Sequence, residues 1–391
     1  MYTKKRIAFV MGPLIVGGVE KAIIELLQHI DYTRYDVTLY LENNTGIWEN
    51  KVSSKAKIEY WNMESTKKIF LTQIKNLRIF GAIKGVLFRI MARLNYSNYL
   101  LNGYYSQKSL PNLCEDSFDC VIAYQAYNPL VVSVALNRLH SKQTIAWIHG
   151  EWDYFGRNAR LFKRLFAKFS DIICVSQSIR DYFNCHYLCH TKTHVIYNLL
   201  DELSIKTKSL ESSAEMRKDQ LNIVTVGRLA VKKGQNMIPK ITRMLIDSGY
   251  DIHWYLVGEG DLRKTIENEM QAYNVEESIH LIGTKENPYP FINSCDIYVQ
   301  PSYSEGYCTT TMEAKLLCKP IVVTDAPGMR EQFVSGVNGI IVDEMTPEAL
   351  YKGIKTLLDH PEMRKKFVEN LKNEGYDNSK ELQKLYDFIE S

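Results

Sequence analysis

Two α/β domains in tandem, each built on a doubly wound parallel sheet, are the fold class that this sequence predicts. Short β-rich apolar runs alternate with helical periodicity, as when parallel strands are covered on both faces by crossover helices. The alternation lapses over residues 201–220, where Ser, Lys and Glu replace the apolar pattern, and then restarts. The length of 391 residues suits two domains of roughly 100–200 residues each. The expected organisation is an N-terminal domain over 1–200, a linker over 201–220, a C-terminal domain over 221–372, and a terminal helical segment over 373–391, free to pack back on the first domain.

The elements follow in order. Residues 6–11 form an apolar strand, 12–18 a glycine-rich loop, and 20–30 a helix with Ala22, Ile23, Leu26, Leu27 and Ile30 on one side. Further strands are expected at 37–41, 120–124, 144–148, 171–176 and 194–197. The second half restarts at 221–226 and continues at 253–257, 278–282, 297–300, 320–324 and 339–342. Thr346-Pro347-Glu348 supplies the N-cap and first-turn proline of a helix reaching Leu358, and 380–389 forms the last helix. Such sheets bind ligands at the C-terminal edges of their strands, so tandem domains predict a central cleft between them.

Composition narrows the function. Hydrophobic residues are 45% and charged residues 24% of the chain, and the net charge is +3. These values exclude a disordered tail, a collagen-like fibre or a membrane bundle, and give no overall field toward nucleic acid. The eight cysteines lie mostly in apolar runs, which reads as reduced thiols in the cytoplasm. Lys4-Lys5-Arg6 before an apolar stretch imitates a signal peptide, but Gly12-Pro13 interrupts it. No window of about 18–20 uncharged apolar residues predicts a spanning helix. Cys185, His186, Cys189, His190 and His194 have metal-like spacing without a second ligand group, so no metal site is expected.

Four constellations carry chemistry. In the stretch 301–314, Glu305 and Glu313 flank a strand-to-helix turn, with Gly306, Tyr307, Cys308, Thr309 and Thr310 at the helix start. Backbone N–H groups there suit an anion, and the two carboxylates suit sugar hydroxyls. The bland alternative makes Glu305 a helix cap and Glu313 a solvated position. Past another strand, Arg228 and Lys233 combine a fork and a point charge for a diphosphate, Lys232 reading as a basic surface turn. The loop with Gly17 and Gly18 has neither dinucleotide nor P-loop spacing, but permits close backbone approach. His149 ends a strand, where it either meets substrate or is structural.

These motifs, in this order, resemble the retaining family-4 glycosyltransferases of the GT-B fold. The resemblance rests on Gly227-Arg228-Leu229 with Lys233-Gly234, Val257-Gly258-Glu259-Gly260, Glu305 and Glu313 with seven residues between, and the run 320–325. It implies that Arg228 and Lys233 neutralise the donor diphosphate, that Glu313 binds ribose, and that Glu305 binds the transferred sugar or faces the reacting carbon. It also implies that Gly17 and Gly18 lie against the phosphates and that His149 touches the sugar. Gly283, Thr284 and Lys285 would meet the base, with a UDP-sugar the favoured donor. Cys308 stands where the family often has glycine and would narrow the sugar pocket. The expected reaction transfers a sugar, with retention and without metal or other cofactor, to a saccharide or lipid-linked saccharide in capsule or other surface-polysaccharide synthesis.

One pattern bears on location. Residues 65–114 contain eight Lys and Arg interleaved with apolar residues before the first acid, and 155–168 repeats the pattern. Basic amphipathic helices of this kind suit the anionic inner face of the cell membrane; the alternative is helices packed on the sheet with basic faces in water. A nucleotide-sugar epimerase, a phosphorylase and a non-catalytic nucleotide-sugar sensor are the competing function classes.

Overall fold

The computed structural model describes residues 3–61, 110, 112–150, 159–187, 190–213, 215–217 and 220–390. The chain divides into two compact units, Met1–Leu199 with Ser379–Ser391, and Leu200–Asn378.

The first unit holds β1 (Lys5–Met11), β2 (Tyr35–Leu41), β3 (Lys57–Tyr60), β4 (Ser117–Ala123), β5 (His140–Ile148), β6 (Asp171–Cys174) and β7 (Lys192–Val195). They form one sheet in the order β3-β2-β1-β4-β5-β6-β7, with every pairing parallel. Ile7 to Met11 are wholly buried, because crossover helices cover both faces of such a sheet. The helices are α1 (Gly18–His29), α2 (Pro129–Asn137), α3 (Ala159–Phe166) and α4 (Gln177–Tyr187). Asn128 caps α2 by accepting from the Leu130 N–H at 3.0 Å.

The second unit contains α5 (Glu202–Lys208), β8 (Leu221–Val226), α6 (Ile238–Asp247), β9 (Ile252–Val257), α7 (Arg263–Tyr273), β10 (Ile279–Gly283) and α8 (Tyr289–Ser294). It continues through β11 (Ile297–Gln300), α9 (Thr309–Leu316), β12 (Ile321–Thr324), α10 (Met329–Gln332), β13 (Ile340–Val342), α11 (Pro347–Asp359) and α12 (Pro361–Glu374). The sheet order is β10-β9-β8-β11-β12-β13, again all parallel. Successive strand residues point to opposite faces. Val224 and Tyr298 therefore enter one core, while Ile223 and Ile297 enter the other.

The stretch 201–220, read as a linker, contains α5. Asp201 caps that helix by accepting from the Ser204 N–H at 2.9 Å, and Ile205 is buried in the second unit's core. A seven-residue helix with one buried apolar side chain leaves little periodicity to read. The final helix, α13 (Ser379–Glu390), belongs to the first unit. Tyr386 stacks on Tyr35 at 5.0 Å and its hydroxyl accepts from the Asp31 N–H at 2.9 Å. The Tyr35 hydroxyl in turn donates to Glu390 at 2.6 Å.

Most of the basic segment 65–114 lies outside the described residues, as does the start of 155–168. The described end of the latter resembles the packed alternative. Leu165 and Phe166 are buried, Phe166 meets Phe183 edge-on at 4.9 Å, and Lys163, Arg164 and Lys168 face water. Among the described residues, no helix is long and apolar enough to cross a membrane.

Candidate active site

In each sheet the strand order reverses between two neighbours, β1/β4 in the first and β8/β11 in the second. Loops leaving such a pair diverge and open a crevice where open α/β sheets bind ligands. Gly17 and Gly18 follow β1, and Arg228, Lys233 and Glu305 follow β8 and β11, at these two points; His149 ends β5 and Gly283 ends β10, away from them.

In the second unit, the loop after β8 carries Arg228 and Lys233, and the loop after β11 carries Glu305. The Lys233 ammonium donates to Glu305 Oε1 at 2.6 Å, with the side chains only 19% and 8% exposed. The loops interlock through backbone. The Tyr303 N–H donates to the Lys232 carbonyl at 2.8 Å. Gly234 sits at φ +69°, and a Cβ there would fall 2.0 Å from the Pro301 carbonyl oxygen, so only glycine fits. Burial works to lower the pKa of Lys233, but the Glu305 carboxylate outweighs it and the net shift is upward. Lys233 therefore remains a cation at neutral pH.

Glu305 does not cap α9. The N-cap is Cys308, without a side-chain hydrogen bond, and Glu305 Oε1 instead accepts a second hydrogen bond, from the Ser302 hydroxyl at 2.6 Å. Glu313 is not a solvated helix position either: it is 1% exposed. Cys308 is buried, with Sγ 3.3 Å from the Thr310 hydroxyl. Burial, then the Glu305 charge, raises its thiol pKa, so it contributes shape and not a thiolate. Thr309 and Thr310 open α9. Gly306 and Tyr307 precede it, and the Tyr307 hydroxyl points to Met312 Sδ at 3.7 Å.

Gly283 ends β10 at φ +78°, and its carbonyl accepts from the Gly258 N–H at 2.9 Å. Thr284 follows. The Lys285 ammonium donates to Glu215 at 2.6 Å, so its charge is already engaged.

Gly17, Gly18 and His149 belong to the first unit. Gly17 is the N-cap of α1 in extended conformation, and Gly18 begins the helix. The carboxylate of buried Glu20 lies against Gly17, where a Cβ would fall 2.2 Å from Oε2. Glu20 Oε1 accepts from Gln125 Nε2 at 3.0 Å, and Gln125 Oε1 accepts from the Gly12 N–H at 2.9 Å. Gln125 thus ties both ends of the glycine loop together at the β1/β4 reversal.

His149 ends β5. Its ring lies 4.5 Å from that of Tyr124 and parallel to Trp147 at 6.0 Å. Burial lowers its pKa to about 3, against a hydrogen bond with the Tyr124 backbone that works the other way. The imidazole is therefore neutral, and its buried Nε2 has no partner among the described residues. Of the metal-like cluster, His194 pairs with Asp171 at 2.8 Å and His186 with the Tyr182 carbonyl at 2.8 Å, while Cys189 lies outside the described residues. Among the described residues, no three His, Cys, Asp or Glu converge as metal ligands.

Four residues of this architecture escaped the sequence reading. Gln300 and Ser302 support Glu305, Glu20 supports Gly17, and Gln125 joins Glu20 to Gly12. The available signals were a lone polar residue ending the apolar strand 297–300, and an acid three residues after a glycine N-cap.

Comparison with known proteins identifies the family and the fold. Residues 16–202 match the model of Glycosyltransferase Family 4, and residues 207–374 match that of Glycosyl transferases group 1. An uncharacterized glycosyltransferase of Methanocaldococcus jannaschii, MJ1178, is 28% identical over 342 residues, 85% of this chain and 88% of that one. The Campylobacter jejuni N-acetylgalactosamine-N,N'-diacetylbacillosaminyl-diphospho-undecaprenol 4-alpha-N-acetylgalactosaminyltransferase is 30% identical over 182 residues, 46% of this chain and 48% of that one. Among solved structures, Anabaena Alr3699/HepE in complex with UDP and glucose superposes with a TM-score of 0.74 at 17% identity, covering 98% of this chain and 99% of that one. With one family model on each unit and the reversal-point loops in both, the chain belongs to the family-4 glycosyltransferases of the GT-B fold.

Proposed function

We propose that the protein transfers a sugar, with retention, from a UDP-sugar to a saccharide or lipid-linked saccharide in the assembly of a cell-surface polysaccharide. The observation that carries this reading is the buried Lys233–Glu305 pair at the β8/β11 reversal. It holds a cation suited to a diphosphate beside a carboxylate suited to a sugar hydroxyl. The undecaprenyl-diphosphate acceptor and the α linkage in the name of the Campylobacter relative support the acceptor class and retention from an α-linked donor.

Each side chain then has a task. Arg228 and Lys233 take the charge that develops on the diphosphate as its bond to the anomeric carbon breaks. Glu305 accepts from the transferred sugar and Glu313 from the ribose. Gly17 and Gly18 offer backbone to the phosphates. Neutral His149 hydrogen-bonds a sugar hydroxyl and holds no proton to give at neutral pH. The acceptor oxygen bonds to the anomeric carbon on the face that the diphosphate leaves, and its proton passes to the departing phosphate oxygen. Charge neutralisation by two side chains requires no metal, so EDTA leaves the rate unchanged. Binding at the inner membrane face rests on the basic segments, and anionic liposomes at low salt test it.

The central test is transfer from UDP-sugars to lipid-linked saccharides, with the product linkage read by NMR. Arg228→Ala loses nearly all transfer while staying folded; substantial activity in that variant contradicts the assignment. Release of UDP with a modified free sugar and no acceptor product points instead to an epimerase.

A further inference from the structure

Glu305 uses its two carboxylate oxygens unequally. Oε1 accepts from both Lys233 at 2.6 Å and Ser302 at 2.6 Å. Oε2 receives no hydrogen bond from the described residues. Behind Ser302 runs a buried chain. Gln300 Nε2 donates to the Ser302 hydroxyl oxygen at 2.9 Å. Gln300 Oε1 accepts from the Tyr298 hydroxyl at 3.0 Å and from the Thr310 hydroxyl at 3.2 Å. Tyr298, Gln300 and Ser302 are all completely buried, and the Thr324 hydroxyl fixes the Ser302 carbonyl.

The chain has a direction. A carboxylate only accepts, so the single Ser302 proton goes to Glu305 and the Gln300 amide NH2 must face the Ser302 oxygen, which leaves Oε1 for the Tyr298 and Thr310 hydroxyls. A carboxylate held by one oxygen through two strong donors cannot rotate freely, and its other oxygen keeps a fixed aim.

We propose that Gln300 and Ser302 are positioning residues that clamp Glu305 Oε1 and so present Oε2 to a hydroxyl of the donor sugar. Their effect falls on recognition of the sugar and leaves capture of the diphosphate to Arg228 and Lys233. Through Thr310 the same chain sets the first turn of α9 against the clamp, so the sugar-facing carboxylate and the helix start move as one body. This inference rests on the donor-site reading above and adds which side chains aim the acid.

The test compares Ser302→Ala, Gln300→Glu and Glu305→Gln with the parent protein. Calorimetry measures UDP affinity, thermal unfolding checks integrity, and initial rates of transfer or hydrolysis are read for UDP-glucose, UDP-galactose, UDP-N-acetylglucosamine and UDP-N-acetylgalactosamine. A hydrogen bond to a charged group is worth a factor of roughly 10–100, so Ser302→Ala should lose that much in kcat/KM while UDP affinity changes by less than about twofold. In Gln300→Glu the new carboxylate competes for the Ser302 proton. Its activity should recover toward acid pH, where protonation restores a donor. Lys233 and Glu305 on the loops, Tyr298 on β11, and Cys308 and Glu313 on α9 are the ionisable groups around it, and Ser302→Ala controls for their titration because it lacks the recovery. Wild-type kcat/KM in Ser302→Ala beside a crippled Glu305→Gln overturns the clamp. So does equal loss of UDP affinity and turnover, or Gln300→Glu activity with no acid recovery. An unimpaired Glu305→Gln, or a parent protein that turns over none of the four donors, overturns the donor-site reading itself.

Discussion

Replacing Glu305 by Gln should tighten the binding of UDP while slowing transfer. In the free protein the Lys233 ammonium is committed to Glu305 at 2.6 Å, with both side chains largely buried. Two unit charges about 4 Å apart attract by about 4 kcal/mol at an effective dielectric near 20. A diphosphate that uses Lys233 must share this cation with the carboxylate and must tolerate the like charge beside it. The neutral amide keeps the shape and removes both costs. Because Lys233 can reach two anions at once, only part of the attraction is given up on binding. A gain of about 1.4 kcal/mol, or roughly tenfold in Kd, is the expected share. The same change removes the charged acceptor from the sugar hydroxyl, which costs about 1.5–3 kcal/mol in the transfer step. Titration calorimetry with UDP, beside transfer rates, reads the two effects separately. Unchanged or weaker UDP binding in Glu305→Gln would refute the idea that this ion pair competes with the diphosphate.

Three further outcomes follow from the geometry. Gly234→Ala should fail to hold the 228–234 loop, since its Cβ meets the Pro301 carbonyl at 2.0 Å and its φ is +69°; a fall in Tm together with lost UDP binding is expected, and an unaltered Tm contradicts the close approach. Cys308→Gly empties space beside Glu305 and should widen the range of UDP-sugars accepted while leaving UDP affinity alone, as a donor panel would reveal. Burial lowers the His149 pKa from the usual 6.5 to about 3, so between those values the unfolded chain binds the extra proton and stability falls as pH drops, by up to about 1.4 kcal/mol per pH unit. Denaturation of the parent and of His149→Gln at pH 7 and pH 4 should show the parent losing more; parallel losses would rule out a buried neutral imidazole.

The strands were legible wherever both faces are buried, because 7–11, 221–226 and 297–300 are nearly unbroken apolar runs. β3 (Lys57–Tyr60) was not, since an edge strand of alternating charge carries no such signal. α12 escaped for a similar reason: only Phe367 and Leu371 of its fourteen residues are buried. The site was legible as residue types and not as pairs. Lys233 and Glu305 are 72 positions apart, and only the order β8-β11 in the sheet makes their loops neighbours. The role of Gln300 depended on which way its amide faces, which is set by the Glu305 carboxylate through Ser302 after folding.

Charge around the β8 loop gives the donor reading its physical sense. Lys232, read from sequence as a surface cation, is exposed; its pKa is lowered first by desolvation and then by the Lys233 charge, against a pull from Glu305 that exceeds the small effect of Arg228. Mutual repulsion of cations is a cost to the folded loop, and a single carboxylate already engaged by Lys233 relieves only part of it. On the proposed reading a diphosphate would supply the missing counter-charge without asking the loop to move, since Gly234 and the Lys232 carbonyl already lock it to the 301–304 segment. On the proposed donor reading, capture of the nucleotide would depend on positive charge held over a rigid backbone. Choice of the sugar would depend on something different in kind: one carboxylate oxygen, held still by a buried serine and glutamine, with buried Cys308 beside it.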